Sequence, residues 1–310
     1  MVLDAVYVVL SIFMLIGVGM LITKLGWVDD KGAKLLSGLV VKVGLSGLIV
    51  HKLFTSYTRE SLIANANGMI APYVSMLLGL ALGYAIAHLL KIPKARRGVF
   101  TCMFAFSNSV FIGVPVALAL FGDEVMPYSL LYYIANTTLF WSIGYLLMSR
   151  DGGAGGKIDL RNLVPVPLIA FAISVCGVLL GVKVPQFLLS TANYLGGLVT
   201  PLSLIYTGWV IMSMLQKGNV RWGKGYGFIL IGRFIAAPLL LLLTSSFVPM
   251  PPLMRNALLV QASMPVMAQT PIVAAACGAD AEYAAGGIAI STACSLAAIP
   301  AYMALIRSFL

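Results

Sequence analysis

Acidic side chains are scarce in this sequence, ten in 310 residues. Each of them (Asp4, Asp29, Asp30, Glu60, Asp123, Glu124, Asp151, Asp159, Asp280 and Glu282) falls in a loop or at the end of an apolar stretch. Carriers of protons or sodium commonly use a carboxylate buried mid-membrane. Its absence argues against a cationic solute and against carboxylate-based coupling, while carbonyl and hydroxyl ligands leave sodium open. Histidines number two and cysteines four. Cys102, Cys176, Cys277 and Cys294 sit singly inside apolar stretches with no metal-ligand spacing, which excludes a zinc site and a disulfide framework. No Ser-His-Asp set, nucleotide motif or phosphate-binding glycine loop is present, and the run Asp151-Gly-Gly-Ala-Gly-Gly lies in a polar linker. An enzyme is therefore not expected, and no cofactor, metal or nucleic-acid partner is called for.

Hydrophobic residues, by contrast, make up 60% of the chain and charged ones only 10%, with a mean hydropathy of +0.99. Soluble domains carry about 25% charged residues, so the bilayer is the solvent and the unit of reading is an apolar stretch of about 20 residues. Ten stretches are predicted, at 5–23, 35–54, 69–90, 99–121, 127–148, 163–182, 194–215, 225–247, 254–277 and 283–306. The first follows Asp4 and lacks the basic start and cleavage site of a signal peptide, so it is kept as a span. Thirteen Lys and Arg residues fall in loops on the side of the linker and five on the other. The positive-inside rule then predicts a multi-pass plasma (bacterial inner) membrane protein with both termini outside and a cytoplasmic linker. The domains read as a first five-helix repeat (1–148), the Gly-rich linker (149–162) and a second repeat (163–310).

Five spans per half force the second half to enter the membrane from the opposite face. Pro93, Pro115 and Gly122 recur as Pro249, Pro271 and Gly278, each 156 residues later, so inverted repeats are expected. The fourth and ninth spans carry the chemistry. The fourth contains Ser107-Asn-Ser-Val-Phe-Ile-Gly-Val-Pro115, and the ninth contains Gln261-Ala-Ser-Met-Pro265 followed by Gln269-Thr-Pro271. Proline inside a helix removes a hydrogen bond and clashes one turn back, and freed backbone at membrane depth needs protein or a wet cavity. Paired breaks in two halves predict a midplane site where half-helix N-termini face an anion. The alternative is two kinked helices whose Ser and Asn side chains merely satisfy their own backbone. Candidate binding residues are Asn108, Ser107, Ser109 and Pro115 from the fourth span, and Gln261, Ser263, Pro265, Gln269, Thr270 and Pro271 from the ninth.

Three further polar residues lie within spans. Lys42 serves either as a counter-charge for the solute or as a snorkelling side chain. Arg233 reads as paired with backbone carbonyls. Asn136, one turn from Tyr132, lines the cavity or hydrogen-bonds between helices.

The stretch from Ser107 to Pro115, with Phe121-Gly122, resembles the fourth-helix motif of the auxin efflux carrier family, which comprises bacterial organic-acid permeases and plant PIN-type auxin carriers. Pro265 to Pro271, Gly278-Ala-Asp280, and Ser291-Thr292 through Pro300 resemble that family's ninth and tenth helices. The second span departs from the pattern, having no central proline at Val43-Gly44-Leu45-Ser46-Gly47. The resemblance implies an all-α, ten-helix, sodium/bile-acid symporter-like fold of two inverted repeats, with helices four and nine crossing at their breaks. It also implies a scaffold that forms homodimers, elevator-like alternating access, and contact of Asn108 with a substrate carboxylate. Function is thus expected to be transport of small organic anions such as malate, malonate or auxin-like acids. The alternatives are a sodium-coupled symporter of the bile-acid type and a receptor using the same pocket.

Overall fold

In lipid a helix satisfies its own backbone, and a chain this apolar is expected to use nothing else. The computed structural model describes residues 2–152, 166–217 and 222–308. Most of the expected cytoplasmic linker, with Lys157, Asp159 and Arg161, lies outside the described residues, as does Arg221. Among the described residues the structure is helical with no strand, and the single extended pairing joins Ser107 to Val266.

The chain begins with α1 (Val2–Lys24), α2 (Asp30–Gly38), α3 (Leu45–Ser56) and α4 (Arg59–Asn65). Next come α5 (Ile70–Leu89), α6 (Lys94–Ala105), α7 (Val114–Phe121), α8 (Met126–Leu139) and α9 (Tyr145–Gly152). Beyond the linker follow α10 (Val166–Leu179), α11 (Gln186–Gly196), α12 (Val199–Lys217), α13 (Tyr226–Ile231) and α14 (Ala237–Ser246). The chain closes with α15 (Pro252–Ala262), α16 (Thr270–Ala276) and α17 (Ala281–Ser308). Several of these run on through wider π turns, so that among the described residues six helices are long and apolar enough to cross a membrane. They are Asp30–Ser56, Ala66–Leu89, Asp123–Gly152, Gln186–Ser213, Tyr226–Ser246 and Ala281–Tyr302; Leu10–Lys24, Ser109–Phe121 and Val166–Leu179 are apolar but shorter.

Two of the π turns have a proline cause. Ser109–Gly113 ends two residues before Pro115, and Gly232–Ala236 ends two residues before Pro238. A proline ring crowds the carbonyl one turn back, and a widened turn relieves it without ending the helix.

The residues cluster into two compact units, each drawing on both halves of the chain. The first comprises Met1–Asn67, Val110–Leu130 and Val164–Ser213; the second comprises Gly68–Ser109, Leu131–Leu163 and Met214–Leu310. Within the first, helices pack at glycine contact. Gly19 meets the backbone of Ile205, Gly208 meets the backbone of Ile16 and Gly19, and Gly47 meets the carbonyl of Ala192. Close approach through small residues is how helices gain packing energy in lipid, where neighbouring helices have no hydrophobic reason to associate. A methyl group at Gly208 would land on the Ile16 carbonyl oxygen, whereas one at Gly17 meets nothing within 4 Å. Gly208→Ala is therefore expected to lower the Tm by several degrees and Gly17→Ala to leave it within a degree, as read by thermal unfolding in detergent. Lys52, inside the predicted second span, is buried in α3, and its ammonium lies 2.5 Å from a carboxylate oxygen of exposed Asp123.

Candidate functional site

The fourth span is interrupted at Phe106–Asn108, between the end of α6 and the turn beginning at Ser109. This corrects the expectation that Pro115 makes the break. Pro115 sits eight residues after Ser107, inside the continuous helix Ser109–Phe121, where the widened turn before it takes up its ring. Pro115 and Lys42 both belong to the first unit, Lys42 as an exposed side chain in the π turn Leu39–Gly44. The interruption is made by partners elsewhere in the second unit.

In the ninth span the break runs from Ser263 to Gln269. Pro265 disfavours helical backbone at Met264, and Pro271 stands in the first turn of α16 as Pro115 does in α7. The two interruptions lie antiparallel and exchange backbone hydrogen bonds. The Asn108 N–H donates to the Pro265 carbonyl at 2.8 Å, and the Met267 N–H donates to the Phe106 carbonyl at 3.3 Å. Ser107, Asn108, Ser109, Ser263, Pro265 and Thr270 are all buried around this crossing. Gln269 and Pro271 are half-buried.

Each break is held by a polar side chain from the next span, α8 for the first and α17 for the second. The Asn136 amide pairs with Ser107 in both directions, accepting from its N–H at 3.1 Å and donating to its carbonyl at 3.0 Å. Its amide nitrogen also approaches Ser109 Oγ at 3.5 Å and Met267 Sδ at 3.8 Å. The side chain thus mimics a neighbouring strand and anchors the break, the hydrogen-bonding alternative from the sequence. Ser291 serves the other break, its hydroxyl accepting from the Val266 N–H at 3.2 Å. Tyr132, fully buried, receives a hydrogen bond from Ser107 Oγ at 3.3 Å.

Arg233 completes the arrangement. Its guanidinium is wholly buried and donates to the carbonyls of Ala262 (2.7 Å), Ala105 (2.8 Å), Met264 (3.1 Å) and Phe104 (3.3 Å). These carbonyls close α6 and α15, whose last turns lack partners of their own because both helices stop at the crossing. A five-donor planar fork can serve such a set and a lysine cannot. The pairing with carbonyls expected from the sequence is what the structure contains, but its place at the crossing was not foreseen. The available signal was a lone arginine in an apolar span.

Gln261 is also fully buried, and neither its amide oxygen nor its nitrogen has a hydrogen-bond partner among the described residues. Buried Asp or Glu is likewise absent among them, and no cluster of three metal-ligating side chains occurs.

Comparison with known proteins adds a family and two relatives. The family profile described as "Membrane transport protein" matches residues 4–162 and 157–303. An uncharacterised transporter of Methanocaldococcus jannaschii is 26% identical over 297 residues, covering 94% of this chain and 96% of that protein. An uncharacterised transporter of Methanothermobacter thermautotrophicus is 27% identical over 296 residues, covering 94% and 95% respectively.

Proposed function

We propose, on the premise that this chain belongs to the auxin efflux carrier family of membrane transport proteins, that it carries small organic anions, carboxylates of the malate, malonate or auxin-like kind. The observation that carries this reading is the asymmetry Arg233 creates at the crossing. A helix end bears roughly half an elementary charge, negative at the C-terminus and positive at the N-terminus. Two C-terminal ends, those of α6 and α15, meet at the breaks, and the buried guanidinium caps both. The N-terminal end at Ser109 has no such acid against it, since no buried carboxylate occurs among the described residues. The net field is positive, and an anion is the solute it favours. Gln261 supports the same reading. A buried amide without partners costs about 1–3 kcal/mol, which a polar solute or its water offsets.

In this reading Asn108 contacts the solute carboxylate, with Ser107, Ser109, Ser263, Gln269 and Thr270 around it, and Asn136 holds the frame. Transport proceeds by alternating access of the elevator kind. The chain forms ten membrane spans as inverted repeats (1–148 and 163–310) joined by the linker 149–162, in a homodimer, with both termini outside the bacterial inner membrane. Local backbone supports the repeats at two of the three pairs: Pro115 and Pro271 stand near helix starts, and Gly122 and Gly278 share positive φ values of 71° and 69°, whereas the residue capping α15 as Pro93 caps α6 is Pro251, not Pro249.

A thermal-shift panel on purified protein tests the solute class. Malate, malonate or indole-3-acetate should raise the Tm, and amines of similar size should not. A hydrogen bond to a charged group contributes about 1.5–3 kcal/mol, so Asn108→Ala should weaken apparent affinity by roughly 10-fold to 150-fold. Equal affinity in that variant removes Asn108 from the site, and stabilisation by amines alone ends the anion reading.

A further inference from the structure

Four helix ends among the described residues close with the same backbone motif, in which the residue after the cap turns left-handed. At α1, α10 and α16 that residue is Gly26, Gly181 or Gly278, with φ of 75°, 70° and 69°. At α5 it is Lys91, with φ 52°, and it is the sole non-glycine at positive φ among the described residues. The bonds match: Lys91 N–H to the His88 carbonyl and Ile92 N–H to the Ala87 carbonyl, as Gly181 to Val178 and Val182 to Gly177. Glycine is the residue this motif favours, because a side chain there crowds the backbone. A lysine at a position whose backbone favours glycine points to a use for its side chain.

Its surroundings say what that use is. Lys91, Lys94, Arg150 and Lys224 are all exposed and come from three places in the second unit: the turn into α6, the last turn of α9 and the segment before α13. Those segments are tied into one rim. The Asp280 N–H donates to the Ala95 carbonyl at 3.2 Å, Tyr283 Oη donates to the Lys224 carbonyl at 2.7 Å, and the Gly98 N–H donates to Asp151 at 2.8 Å. The rim's acids are largely consumed internally. Asp280 pairs with Arg96 at 2.7 Å and accepts from the Tyr283 N–H, and Asp151 is held by Gly98, which leaves Glu282 as the exposed carboxylate of the rim among the described residues. Beside the cations Trp222 is 68% exposed, its ring set edge-on against Tyr226. Cations and an indole at the ends of apolar helices stand at headgroup level.

We propose that this rim is a binding surface for the phosphates of anionic phospholipid headgroups, with Lys91, Lys94, Arg150 and Lys224 as the phosphate contacts and Trp222 as the interfacial anchor. The inclination of basic loops towards one side of a membrane needs charge alone; it does not need a lysine where the backbone favours glycine. The surface is independent of which solute the crossing binds.

The test is thermal unfolding of the full chain in nanodiscs of neutral phosphatidylcholine and of the same lipid with 30% phosphatidylglycerol, a composition chosen to give roughly the surface potential of an anionic leaflet. Wild type should melt several degrees higher in the anionic discs, and 1 M NaCl should erase the gain by screening. The combined K91Q/K94Q/R150Q/K224Q variant should lose most of the gain. Lys91→Gly separates side chain from backbone: it should melt higher than wild type in neutral discs, by relieving the strained turn, yet gain less from phosphatidylglycerol. That single variant keeps the test decisive if the combined one fails to fold. An undiminished gain in Lys91→Gly, or a gain insensitive to salt, overturns the proposal. Equal stabilisation in neutral discs by millimolar inorganic phosphate would make the rim a free-phosphate site and overturn the lipid assignment.

Discussion

Replacing Arg233 by methionine is expected to abolish accumulation of folded, monodisperse protein. Methionine fills similar volume but supplies no donor, so the carbonyls of Phe104, Ala105, Ala262 and Met264 lose the guanidinium together. Stranding a buried acceptor costs about 1–3 kcal/mol. Four of them rival a whole domain's stability, on the order of 5–15 kcal/mol. Arg233→Lys keeps the charge but gathers its donors at one point in place of a fork. It should fold with a markedly lower Tm, and size-exclusion profiles followed by melting curves distinguish the two variants. If Arg233→Met folds and melts like wild type, the guanidinium is not what holds the crossing.

Asn136 gives the second large effect, and two substitutions separate its jobs. Asn136→Leu leaves the Ser107 N–H and carbonyl without their partners, at about 1–3 kcal/mol each, and should lower the Tm sharply. Asn136→Asp keeps an acceptor for the Ser107 N–H but loses the donor to its carbonyl and adds a negative charge beside the crossing. For unit charges about 6 Å apart at an effective dielectric near 20, repulsion is roughly 3 kcal/mol, so binding of an anion should fall about 100-fold. Calorimetric titration with the best carboxylate reads this directly. An Asp variant that binds the anion as wild type does would place the solute elsewhere.

Much of this was legible in the residues. The apolar stretches and the breaks in the fourth and ninth spans follow from composition and from Pro, Ser and Asn placement, and Ser107, Asn108 and Ser109 lie buried at the fourth-span break. Proline misled in one place. Pro115 suggests a break at its own position, but a widened turn over Ser109–Gly113 absorbs its ring and the helix continues. The true interruption at Phe106–Asn108 contains no proline, because it is imposed by Arg233, Asn136 and the Pro265 carbonyl from 29 to 157 residues away in the chain. Local propensity cannot report a break whose cause is tertiary. Similarly, Lys91 is unremarkable as a letter in a basic loop; only its φ of 52° sets it apart.

The proposal that the crossing is electropositive and binds an anion is tested most directly by uptake of labelled solutes into proteoliposomes. A carboxylate, its uncharged amide and an amine of matched size are compared for wild type and Asn108→Ala. The expected result is accumulation of the carboxylate alone, reduced at least 10-fold in the variant. Accumulation of the amine in place of the carboxylate, or carboxylate uptake that Asn108→Ala leaves unchanged, would contradict it.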